Sequence, residues 1–298
     1  MTVKELRQSL RRGSFVLPFL AVQMLALTAT VIEFKQKTPP ESSEYNGVLN
    51  FWLLFNSGPF WIVAGLICMV LMPLGGVALM GQELEEGNHE LLLLTRLNRW
   101  GVVLGKLLTL WGLSIVTFIS ILPYVVTRYL IGGVEWWHEA ACAGTVLGGS
   151  AMIGAGAIGA SSFRHLGARI GVFLLFLGSM SGGCAPPLLA SAGVTRGCGI
   201  LYHLTAFAAI GCYTMLGLAL ARSRLRLSVM CFEVKPSAMV VGLLVFAPFV
   251  IGTLTALTLG FLGLIGLLLM MLVAITIDKT PRLQPAAGGQ DATSGAVR

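Results

Sequence analysis

Residues 239–277 read MVVGLLVFAPFVIGTLTALTLGFLGLIGLLLMMLVAITI, a run with no charged side chain. As a single helix it would measure about 58 Å, twice what a hydrocarbon core of about 30 Å requires. The run therefore reads as two membrane spans that turn near residues 255–260, where Thr and Gly gather. Backbone groups inside lipid have no water to bond, so open chains cross as helices. This segment alone points to an all-α fold, and the rest of the chain extends the reading.

Hydrophobic residues make up 56% of the 298 positions and charged residues 11%, with a mean hydropathy of +0.84. Soluble domains carry roughly 25% charged residues. A polytopic helical bundle in a membrane follows from that difference, and membrane lipid is its first partner. The six cysteines (Cys68, Cys142, Cys184, Cys198, Cys212 and Cys231) form no C-x-x-C pair and read as small apolar fillers. Cys184 and Cys198 come near the same outer surface in this reading, where a disulfide is a lesser alternative.

Further apolar runs flank the opening one. Residues 14–32 form a first span; a cleaved signal peptide is the competing reading, but the run is long and has no small-x-small cleavage site. The segment 33–57 is a polar outer loop ending in the aromatics Phe51, Trp52 and Phe55, which favour the interface. Spans are expected at 58–80, with a kink at Pro73, at 102–130 and at 140–162. The last of these carries Gly144 and Gly148, a small-x-x-x-small pair suited to close helix packing. Residues 135–139 read as a short outer turn anchored by Trp136 and Trp137. A fifth span starts at Ile170 and weakens at Gly182, Gly183, Pro186 and Pro187, and a sixth covers about 198–221.

The outcome is about eight spans, a six-span core plus a C-terminal hairpin, with both termini on the cytoplasmic side. The charges support it: of the 20 Lys and Arg, all but Lys35, Lys37, Arg128 and Arg196 fall on segments assigned inside. The formal net charge of +7 is thereby explained without nucleic acid, since no basic stripe is interleaved with aromatics. Residues 1–13 place Leu6 and Leu10 on one helical face among Lys4, Arg7, Arg11 and Arg12, which suits a helix lying on the membrane. The tail 278–298, rich in Pro, Gly, Ala and Ser, reads as disordered.

Most motifs that suggest chemistry do not survive inspection. Gly154, Gly156 and Gly159 spell G-x-G-x-x-G, but they lie inside a span with no preceding strand and no carboxylate about 20 residues on, so they read as a helix-packing face. Gly101, Gly105 and Lys106 fall one residue short of a phosphate-binding loop, and Leu107 stands where its hydroxyl belongs. His89-Glu90 lacks the second histidine of a zinc-protease helix, since Leu93 holds that place. Tyr202, His203, Ser179 and Ser181 lie in spans, where polar groups are functional candidates by default but are more often packing. No carboxylate is expected in mid-membrane, which argues against an ion-coupled carrier.

One segment remains: Gln82–Lys106, QELEEGNHELLLLTRLNRWGVVLGK. Glu83, Glu85 and Glu86 end a span with charge, and Gly87 interrupts the helix. Asn88 can cap a new one, with Glu90 in its first turn to complement the dipole. That helix carries Leu91, Leu92, Leu93, Leu94 and Leu97 outside the hydrocarbon. It either packs beneath the bundle or inserts into a groove of a partner.

The stretch resembles the inner loop of type-2 ABC (ABC-2-type) transporter permeases, which reads E-x-x-x-G-T-x-E-x-L-L, then a turn and G-K. Glu83, Gly87, Glu90, Leu92 and Leu93 match the first part, and Gly105 with Lys106 the second. The start of the chain, Lys4-Glu5-Leu6-Arg7, is similar to the family's amphipathic connector helix. Asn88 stands where the family often has Thr, and Arg96 where Pro often follows Thr. The resemblance covers about 25 residues and the first dozen.

The resemblance implies that loop 82–101 is a coupling helix docked on a separate nucleotide-binding ATPase subunit. Its contacts would be Glu83, Glu86, Gly87, Asn88, His89, Glu90, Leu92, Leu93 and Lys106. ATP and Mg would then be bound by that partner, with no cofactor, metal or catalytic residue on this chain. It further implies a second permease chain, identical or related, a bacterial-type cytoplasmic membrane and an export role. A re-entrant outer segment at residues 182–195, broken by Gly and Pro, is also implied. Two readings from other classes stand beside it: a membrane scaffold that holds a cytosolic protein through the same loop, and an intramembrane enzyme using His203 or His138.

Overall fold

The computed structural model describes residues 13–36, 46–77, 99–132, 135–163, 165–195, 197–229, 238–258 and 261–276. The connector helix expected at the start, nearly all of loop 82–101 and the tail 278–298 lie outside them. The described chain is helical, without strands. It comprises α1 (Gly13–Gln36), a short α2 (Phe51–Asn56), α3 (Pro59–Leu74), α4 (Arg99–Gly132), α5 (Trp136–Ser161), α6 (Leu166–Thr195), α7 (Ile200–Val229), α8 (Ala238–Thr258) and α9 (Phe261–Thr276).

Five of these helices are long and apolar enough to cross a bilayer: α4, α5, α6, α7 and α8. α3 and α9 are shorter and apolar, and α1 occupies the position of the first expected span. The 239–277 run does divide into two helices. Gly263 sits against Thr255 and Pro187, and Gly266 against Leu254 and Ile251, so α9 folds back along α8.

α5 and α7 form the centre. Their apolar windows are 72% and 67% buried, against 22% for α8. Glycine is what lets the two central backbones touch. A Cβ built on Gly217 of α7 would lie 2.6 Å from the Ala155 carbonyl carbon and 2.8 Å from the Gly156 nitrogen. Gly159 faces the Gly217 carbonyl in return, with 2.8 Å to a built Cβ. The G-x-G-x-x-G run is therefore a packing surface. Gly144 and Gly148 act likewise, facing Val48 and Ile210.

Around this centre one apolar cluster joins α5 to α6, α7, α8 and α9, and a second joins it to α1, α2, α3 and α4. The outside is apolar as well: Phe246 is 64% exposed, Phe249 67% and Leu257 80%. Water-facing surfaces rarely carry such patches. Trp52 and Phe55 of the aromatic group in α2 are also exposed.

The structure corrects two expectations. Residues 182–195 do not break: α6 runs through Pro186 and Pro187 to Thr195. Each proline removes one donor from the helical ladder, and the carbonyls that lose it, four residues earlier, belong to Gly182 and Gly183, where no side chain crowds the ring. Membrane helices tolerate such sites because leaving more backbone groups unbonded costs more. Secondly, residues 136–139 are no exposed turn. They form the first turn of α5, with Trp136 and Trp137 exposed but His138 and Glu139 buried.

The irregularity expected at Pro73 takes a particular form, a π-helical stretch at Leu66–Leu71 just before it. The missing proline N–H leaves the ladder short of a donor there, and a wider turn follows. Cys68, Cys142, Cys184 and Cys212 are buried free thiols, and Cys198 is a half-buried one.

Candidate functional site: a carboxylate–guanidinium cluster

Four helix ends meet at one point of the bundle: the last turns of α1 and α4 and the first turns of α3 and α5. α1 brings Glu33, α4 brings Arg128 and α5 brings Glu139. The Arg128 and Glu139 side chains are each 2% exposed and Glu33 is 15% exposed.

Arg128 organises the group. Its Nε donates to Glu33 Oε1 at 3.0 Å and its Nη2 donates to the same oxygen. Nη2 also donates to the Ser57 carbonyl at 2.8 Å, and Nη1 donates to Glu139 Oε2 at 3.3 Å. The guanidinium lies over the Phe60 ring, 5.1 Å from its centroid, a favourable cation–π position in a desolvated place. Trp61 donates its indole N–H to Glu139 Oε2 at 3.1 Å.

The turn between α2 and α3 makes this possible. Gly58 has φ +105°, and a Cβ there would also fall 2.9 Å from Glu33 Oε1. Glycine is required on both counts. The turn aims the Ser57 carbonyl at Arg128, while the Ser57 hydroxyl donates to the Leu53 carbonyl and lies 3.3 Å from Cys142 Sγ. Beside the cluster, His138 Nδ1 is 3.0 Å from Asn46 Oδ1. Arg128 thus places four of its five N–H donors within a largely dry site, and the cluster clamps four helix ends.

Sequence reading placed Glu33, Arg128 and Glu139 in outer segments and missed their meeting. A signal was present: Arg128 and Lys106 are the two charges in the apolar run 102–130. It remains true that neither carboxylate sits midway along a span. Both are nonetheless enclosed by helices, near the ends of α1 and α5.

Of the residues expected to contact an ATPase, Glu83, Glu86, Gly87, Asn88, His89, Glu90, Leu92 and Leu93 lie outside the described residues. Lys106 is described and is buried, 7% exposed on α4. It neighbours Leu107, part of an apolar cluster with Val103, Leu110, Ala155 and Leu218.

The residues considered for intramembrane catalysis do not assemble. Among the described residues no hydrogen bond joins Ser179 or Ser181 to His203 or His138. The Ser181 hydroxyl donates to the Leu177 carbonyl at 2.9 Å, and the Ser179 carbonyl accepts from the Tyr213 hydroxyl at 2.7 Å. His203 packs its ring edge-on to Tyr202. No group of three His, Cys, Asp or Glu among the described residues is arranged to hold a metal ion.

A bundle apolar inside and out, with five helices of spanning length, is a multi-pass α-helical membrane protein. Compared with protein-family models, with curated proteins and with solved structures, the chain matches none.

Proposed function

We propose that this chain is the permease subunit of an ABC-2-type transporter, an exporter in a bacterial-type cytoplasmic membrane. The observation that carries the reading is the segment Gln82–Lys106, with its carboxylates, Gly87 and leucine run, joining the apolar helices α3 and α4. Five leucines outside hydrocarbon need a surface to cover them, and a cleft on a nucleotide-binding ATPase supplies one.

In this reading ATP and Mg are bound by the partner, whose closure moves the docked loop. α3 and α4 carry that motion into the bundle. The π-helical stretch in α3 is a weak point in its ladder, suited to bending under such a load. A second permease chain completes the substrate path.

The test is purification of the full chain from its native cell in mild detergent. A nucleotide-binding ATPase should accompany it near stoichiometry and be lost in Glu90→Arg, with membrane insertion unchanged. Absence of any ATPase under several mild conditions, or an undisturbed complex with normal coupling in Glu90→Arg, would sink the reading and favour a scaffold.

A further inference from the structure

Among the described residues the charges of the buried cluster do not cancel, since one guanidinium faces two carboxylates. Among the described residues, each surrounding element contributes as follows. α1 supplies Glu33, the α2–α3 turn the Ser57 carbonyl, α3 the Phe60 ring and the Trp61 N–H, and α4 Arg128. α5 supplies His138 and Glu139, with Glu135 at its N-cap. Three atoms are still buried without a hydrogen bond: Glu33 Oε2, Glu139 Oε1 and His138 Nε2. Glu139 Oε1 lies 3.2 Å from Arg128 Nη1, so it is close to the charge but off the direction of its N–H.

A surplus negative charge in such a place is costly unless something neutralises it. Hydration is limited by an exposure of 2% at Glu139, and among the described residues no group of three His, Cys, Asp or Glu is arranged for a metal ion. A proton needs only one lone pair. A proton on His138 would leave four charges in the buried site, whereas a proton on a carboxylate leaves a single ion pair.

We propose that the Glu33–Arg128–Glu139 cluster is a proton-binding site that holds one proton at neutral pH, carried by Glu139 on Oε1. Glu33 remains the carboxylate because Oε1 accepts two N–H groups of Arg128 and the side chain is more exposed. Glu139 receives one long bond from Arg128 and one from a neutral indole. The proton comes from water and returns to it, converting carboxylate to carboxylic acid and back with no other reactant. Uptake and release are thereby tied to the packing of four helix ends. The inference is independent of any ATPase partner.

Infrared spectroscopy of the full chain in lipid, at neutral pH in H₂O and D₂O, tests it. The wild type should show a protonated-carboxyl stretch that shifts in D₂O. The stretch should be lost in Glu139→Gln. It should also be lost in Glu33→Gln, because Glu139 then becomes the single ionised partner of Arg128. No such stretch in the wild type would overturn the proposal, as would its persistence in Glu139→Gln. Should Glu139→Gln not fold, a stretch that persists in Glu33→Gln would overturn the surplus-charge argument by itself.

Discussion

Gly217 on α7 lies so close to Ala155 on α5 that a built Cβ would stand 2.7 Å from the Ala155 carbonyl oxygen. The obstacle is backbone, which cannot rotate away as a side chain does. Gly217→Ala should destabilise the bundle by about 1–3 kcal/mol, the usual cost of overpacking. Gly171 on α6 has open space around it, so Gly171→Ala should leave stability unchanged or raise it. Thermal unfolding of both variants in the same detergent checks the contrast. Equal effects would show that the α5–α7 crossing is not the tight contact described.

Arg128 pairs with both Glu33 and Glu139, so its loss should be felt more than the loss of either carboxylate. Arg128→Met should cost on the order of 3–5 kcal/mol, as for other buried ion pairs stripped of one partner. Adding Glu33→Gln to it should recover part of that loss. A double-mutant cycle read by thermal unfolding measures the coupling. Simple additivity would mean that the two side chains do not interact.

Pro186 sits within a continuous helix, and its missing N–H leaves the Gly182 carbonyl without a helical donor. Pro186→Ala restores that donor and should raise stability by about 1 kcal/mol. A fall in stability, seen by thermal unfolding, would indicate that proline is needed to shape this segment.

Cys198 lies between α6 and α7, where burial pushes its thiol up to about 11. Its reactive thiolate should therefore be scarce at neutral pH and grow as pH rises towards that value. In a Cys231→Ala background, maleimide labelling of Cys198 should climb roughly tenfold per pH unit between neutrality and pH ~10. A plateau near the ordinary thiol range of about 8.5 would contradict the burial described.

How much was legible in advance depended on how local the signal was. The Gly144–Gly148 and Gly154–Gly159 pairs announced close packing, and Gly148 and Gly159 do face Ile210 and the Gly217 carbonyl. Pro186 and Pro187 misled, because a proline's effect on a helix depends on whether water or lipid is the alternative for the freed carbonyl. His138 and Glu139 misled too. Their polar side chains, next to two tryptophans, look like a surface turn until the neighbours that bury them are known.

The sequence by itself determined the class of this protein. Length and apolarity of a run are local properties, and hydrocarbon leaves a long apolar chain little choice but helix. Only the tertiary structure decided the cluster. Glu33 and Arg128 are 95 residues apart and gain a shared site when α1 and α4 end side by side. Arg128 and Glu139 meet across the short connection from α4 to α5. Which charges pair, and which oxygens stay without donors, is set by how helix ends converge, and a linear pattern holds no record of that.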